Sequence, residues 1–127
     1  MHRCKVLVVD GNAAARQSMS RLLMARNYEP YFADDGVDAL LKSYNLAPQA
    51  IIWAVDRPDY WGLECIAHIK VMQPRLPVIV FERGASSRLD YTAAADRIFS
   101  RRQNNLALLF SYLDERCMPT MQRRATA

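Results

Sequence analysis

Strand-like and helix-like patterns of apolar residues alternate five times along the chain. "KVLVV", residues 5–9, is a continuous apolar run rich in Val, the pattern of a strand buried on both faces of a parallel sheet. Asp10-Gly11-Asn12 is a loop, with Asn12 or Asp10 placed to cap the next helix. In that helix Met19, Leu22, Leu23 and Arg26 recur at helical spacing, Arg16 and Arg21 lie off the stripe, and Asn27 closes it. "YEPYF", residues 28–32, is a short strand. Its Pro30 cannot donate to a ladder, which puts the strand at or near a sheet edge. Asp34-Asp35-Gly36 is a turn, and Val37, Leu40, Leu41 and Tyr44 mark the apolar stripe of a second helix. Residues 50–55, after Pro48, form a third buried strand with Trp53 in the core.

Leu63, Ile66, Ala67 and Ile69 give a third helix that stops before Pro74. "PVIVF", residues 77–81, is a fourth strand, and residues 86–93 are a weaker helix with serine caps at its start. "RIFS", residues 97–100, is a fifth strand, and Leu106, Leu109, Phe110 and Leu113 form the last helical stripe. From Cys117 on, Pro, Thr, Gln and Arg dominate. Residues 1–116 therefore read as one domain and residues 117–127 as a flexible tail. This order predicts an α/β fold: a doubly wound, five-stranded parallel sheet with helices on both faces, flavodoxin-like. Function in such sheets gathers at the carboxyl ends of the strands. Those ends are residues 10–11, 32–34, 55–59, 82–84 and 100–102.

Composition narrows the function classes. With 127 residues, 51% of them apolar, a core can form without disulfides or metal. There is no apolar run long enough to span a membrane and no signal-peptide pattern at the start, so a cytoplasmic location is expected. Cys4, Cys65 and Cys117 make no C-x-x-C pair, and His2 and His68 are not spaced for zinc, so reduced structural thiols are expected. The net charge of +4 is spread along the chain, with small groups at Arg101-Arg102 and Arg123-Arg124. A solvated basic surface is the expected reading. Direct DNA binding through that surface is an alternative for which no reader motif is visible.

Three segments, "KVLVVD", "PQAIIWAVDRPDYWGLE" and "LPVIVFE" with "AADRIFSRR", in this order and spacing, resemble the receiver domain of bacterial response regulators. The likeness covers roughly residues 5–115. The resemblance implies a site of five side chains. Two adjacent acids follow the first strand, and an Asp ends the third and is the phospho-acceptor. These three hold Mg²⁺, an ion that prefers oxygen ligands. A Thr or Ser ends the fourth strand and a Lys the fifth.

Carried over position by position, Asp10 matches the first acid and Gly11 stands where the second belongs. In the family the acceptor Asp lies four residues before a loop Pro and eight before a Gly. Pro58 and Gly62 both point back to Ala54. Glu82 falls at the hydroxyl position, Arg101 at the Lys position, and Ile98 at that of the switch aromatic. Alanine has no lone pair with which to attack phosphorus. The resemblance therefore implies a degenerate receiver, not an enzyme, with no cofactor and no Mg²⁺ site. It would signal through phosphorylation-independent contact with another protein. Arg101 is expected to pair with Asp10 or Glu82. A phospho-accepting site that uses a displaced Asp56 is the alternative.

In the family, partners or a second receiver most often meet the face built from the fourth helix, fifth strand and fifth helix, so a homodimer through that face is one expectation. The candidate contacts are Tyr60, Trp61, Arg88, Tyr91 and Arg97. Membrane contact is not expected.

Overall fold

The structure is a computed structural model that describes residues 3–56, 60–84, 91, 94–100 and 106–118, with the backbone only at Tyr60. Its elements run β1 (Cys4–Val9), α1 (Ala13–Ala25), β2 (Tyr28–Ala33), α2 (Gly36–Asn45), β3 (Ala50–Val55), α3 (Tyr60–Met72), β4 (Val78–Glu82), β5 (Arg97–Ser100) and α4 (Leu106–Cys117). The five strands are parallel in the order β2-β1-β3-β4-β5. This is the expected doubly wound sheet, with β2 and its Pro30 at one edge. The helix expected over residues 86–93 lies outside the described residues except for Tyr91, as do Arg88, Arg101 and most of the expected tail.

The central strands are apolar at residues 6–9, 50–55 and 78–81 because both faces are covered there. Side chains alternate between faces. Leu7, Ile51, Val78 and Val80 pack with Ile66 and Ile69 of α3. Val6, Val8, Ile52 and Ile79 pack with Leu23 of α1 and Leu109 and Leu113 of α4. Trp53 is a core residue, only 3% exposed. Asn12 caps α1 by accepting from Ala15 N, and Asn27, at φ 69°, turns the chain out of it.

Of the four residues that mark α2, only Leu40 packs against the core. Val37, Leu41 and Tyr44 are exposed, and the helix is seated instead on Gly36, Ala39 and Ser43. Small side chains let it lie close. A methyl group at Gly36 would come within 2.6 Å of the Cys65 sulfur of α3. In α1, Leu22 is likewise more exposed than its place in the stripe suggests. In α3, Ala67 is exposed and Cys65 is buried.

The starts of β1 and β2 meet the last turn of α4. The Cys4 thiol donates to the Cys117 carbonyl at 3.2 Å, and the Tyr28 hydroxyl donates to Asp114 at 2.5 Å. Burial pushes the Cys117 thiol up to about 12. Burial, helped by Asp114, also raises the Tyr28 phenol. A group whose folded value is raised keeps its stabilising contribution below its unfolded value and loses it as pH climbs toward the folded one. Stability to urea is therefore expected to fall from about pH 9, the ordinary thiol value, toward 12. The Cys117→Ala variant should show a flatter decline at the start of that range; an unchanged slope would contradict the assignment.

Candidate functional site

Three strands deliver charge to one end of the sheet. Asp10 directly follows β1 and is 4% exposed. Its Oδ1 accepts from the Asn12 amide at 2.9 Å and from Arg83 Nη2 at 2.9 Å, and its Oδ2 accepts from Arg83 Nη1 at 2.6 Å. The same guanidinium reaches Asp56, just past β3, with Nε donating at 3.0 Å and Nη2 at 2.6 Å. Arg83 thus spends four of its five N–H donors on two carboxylates. Such paired, charge-assisted contacts are the geometry in which arginine binds carboxylate most strongly. Burial alone would pull the guanidinium's pKa down; the hydrogen bonds to Asp56 and Asp10 outweigh it and hold the value above the ordinary one.

The backbone places this cation. The Arg83 amide donates to the Val55 carbonyl at 2.9 Å, carrying the β3–β4 ladder one step past the strand. Strand alternation sends Arg83 after Phe81 to the face holding Asp10, and Glu82 after Val80 to the other face. Gly84 then passes so close to Asp56 that a Cβ would overlap the Asp56 carbonyl oxygen. Gly84→Ala is expected to push the two loops apart, loosen the Arg83–Asp56 contacts and cost about 1–3 kcal/mol, as overpacking does. A denaturation midpoint equal to the parent's would show that the loops adjust freely. Arg16 adds a second tie, donating to the Asp10 carbonyl at 2.9 Å and to Asp34 at 2.6 Å.

Of the residues singled out in the sequence, Asp10 and Asp56 converge through Arg83. Ala54 lies half-buried beside them in β3, in register with Phe81. Gly11 is exposed, and among the described residues a methyl group there would meet the Asp34 carbonyl, at 3.6 Å. Glu82 makes no ion pair among the described residues. The cation expected beside Asp10 was Arg101, which lies outside those residues; the cation found there is Arg83. Arginine type alone did not single Arg83 out, but its place two residues after Phe81 on an alternating strand could have done so.

The expected contact residues divide. Trp61 is 56% exposed at the start of α3. Arg97 is exposed, with its guanidinium 5.1 Å from the Tyr112 ring. Ile98 is partly buried against the core. Tyr91 is fully buried within the same core, so its expected role as a partner contact is corrected. A cleft of about 270 Å³ opens beside the Asp10–Arg83 pair, walled by Met19, Leu22, Phe81 and Leu106. Among the described residues no helix is long and apolar enough to cross a membrane.

Comparison with known proteins agrees with this architecture. The family model of the response regulator receiver domain matches residues 6–97. The response regulator MprA of Mycobacterium sp. (strain KMS) is 36% identical over 76 residues, 60% of this chain and 33% of that protein. The match thus spans about a third of the length of such relatives. The response regulator TrrA of Thermotoga maritima, solved in complex with Mg²⁺-BeF, is 25% identical with a TM-score of 0.73, over 87% of this chain and 97% of that one. A structure of histidine kinase ThkA in complex with TrrA matches at 23% identity and a TM-score of 0.73, over 88% and 97%. The chain belongs to the response regulator receiver domain family, the signal-receiving module of two-component systems.

Proposed function

We propose that this receiver works without phosphoryl transfer, as a protein-contact module whose phosphorylation site has become an internal salt bridge. The observation that carries the reading is the Arg83 guanidinium held by both Asp10 and Asp56 beside Ala54. Ala54 supplies no nucleophile. The donor set also does not fit Mg²⁺, which needs several free oxygens in octahedral geometry. Asp10 and Asp56 are already committed to a cation, and no group of three or more metal-ligating side chains occurs among the described residues. Arg83 supplies with a fixed charge the neutralisation that a metal would otherwise bring.

The bridge also argues against Asp56 as a displaced acceptor, because each of its carboxylate oxygens accepts a hydrogen bond from Arg83. TrrA was captured with a histidine kinase. For this chain a signalling protein is the partner class, met in a state that needs no phosphoryl group. Intact mass after incubation with acetyl phosphate and Mg²⁺ tests the reading. No added phosphoryl mass is expected. An added mass that disappears in Asp56→Asn would replace the proposal with the displaced-acceptor mechanism.

A further inference from the structure

Both α2 and α3 carry exposed apolar side chains. Val37, Leu41 and Tyr44, at i, i+4 and i+7, are 50%, 59% and 51% exposed, so one helix face presents an apolar ridge that the core does not use. On α3, Trp61, His68 and Val71 form a second exposed ridge. The two helices pack against each other. Between them lies a groove of about 220 Å³ lined by Leu40, Trp61, Glu64, Cys65 and His68. An exposed apolar surface of this kind marks an interaction site more often than scattered single residues do.

Charge selects the occupant. The whole chain carries +4, yet the described lining of this groove contributes an acid, Glu64, and no Lys or Arg, and Asp34, Asp35 and Asp38 cluster at the nearby start of α2. Asp34 is paired with Arg16 and Asp38 with Lys42. Glu64 and Asp35 have no ion pair among the described residues, and Asp35 serves as the N-cap of α2. Glu64 and Asp35 therefore leave an excess of negative charge here among the described residues, and Cys65 and His68 complete the polar lining of the groove. A second copy of this chain would bring the same acids against these in an isologous contact, and an anionic lipid surface would be repelled.

We propose that the α2–α3 groove docks a basic amphipathic helix of a partner protein. Apolar residues at i, i+3 or i+4 and i+7 of that helix would enter between Leu40 and Trp61 and extend over the exposed Leu41, with flanking Lys or Arg on Glu64 and Asp35. The surface does not include Ala54 or the Arg83 bridge, so it stands whether or not the site takes a phosphoryl group.

Trp61 is a built-in probe, since Trp53 is buried. The ligand to use is a synthetic 18-residue amphipathic helix of Leu and Lys. Its controls are a scrambled isomer and a version with Glu replacing every Lys. Titration should shift Trp61 emission to the blue and saturate with the Leu/Lys helix alone. Leu41→Glu, at an exposed position, should weaken binding about tenfold or more, the change that 1.4 kcal/mol makes. Glu64→Lys should weaken it several-fold, and added salt should do the same. The proposal is overturned by no binding at millimolar peptide, by equal binding of the Glu helix, or by an unchanged affinity in Leu41→Glu. It is also overturned if sedimentation shows the parent dimerising and Leu41→Glu monomeric, which would name a second copy as the occupant.

Discussion

Replacing Arg83 with alanine is expected to lower stability by about 2–4 kcal/mol. Removing one partner of a buried pair costs roughly 3–5 kcal/mol because the remaining charge is left unpaired. Asp10, at 4% exposed, is such a charge. The Asp56 leg adds less, because that side chain is 55% exposed and water screens it. Arg83→Lys should recover part of the loss, since lysine restores the charge but not the paired geometry. Urea midpoints of the three proteins decide it. If Arg83→Ala unfolds with the parent, the guanidinium is a solvated surface charge and the bridge has no structural role.

The second large effect is a gain. Three changes separate this pocket from one able to hold Mg²⁺: Gly11→Asp and Ala54→Asp supply carboxylates, and Arg83→Ala frees Asp10. Gly11 has room for a side chain, so the first is sterically open. The triple variant should be stabilised by Mg²⁺, by about 1.4 kcal/mol at tenfold over its Kd, and should become a substrate for acetyl phosphate. Ala54→Asp alone should respond to neither, because Arg83 still occupies the carboxylates. The parent's melting temperature should not change with millimolar Mg²⁺. A rise in the parent, or a full response in the single variant, would show that the Arg83 bridge yields to the metal.

Much of the fold was legible because buried parallel strands leave an unambiguous trace. The apolar runs at residues 5–9 and 50–55 and "RIFS" each became a strand. The α2 pattern located the helix but not its buried face, for a physical reason. Periodicity shows that Val37, Leu41 and Tyr44 share a face, but not that this face is the buried one. Gly36, Ala39 and Ser43 give closer packing, and small residues leave little trace in a hydrophobic pattern. The candidate site was half legible. The resemblance puts Ala54 and Gly11 at the acceptor and second-acid positions, through the family's offsets to Pro58 and Gly62 and the adjacency to Asp10. Arg83 was missed because it lies one residue past β4 at a position where the family pattern assigns no charge. Its role depends on ladder continuation and on the close approach of Gly84 to Asp56, which are tertiary facts.

The central claim is that Arg83 and Asp10 act as a unit, and a double-mutant cycle between them measures this directly. Asp10→Ala, Arg83→Ala and the double variant should show a coupling of about 1–3 kcal/mol, as contacting charged residues do. The double variant should then be more stable than Arg83→Ala alone, because the stranded carboxylate is gone. Losses that add to within about 0.5 kcal/mol would mean the two residues do not interact, and would contradict the account.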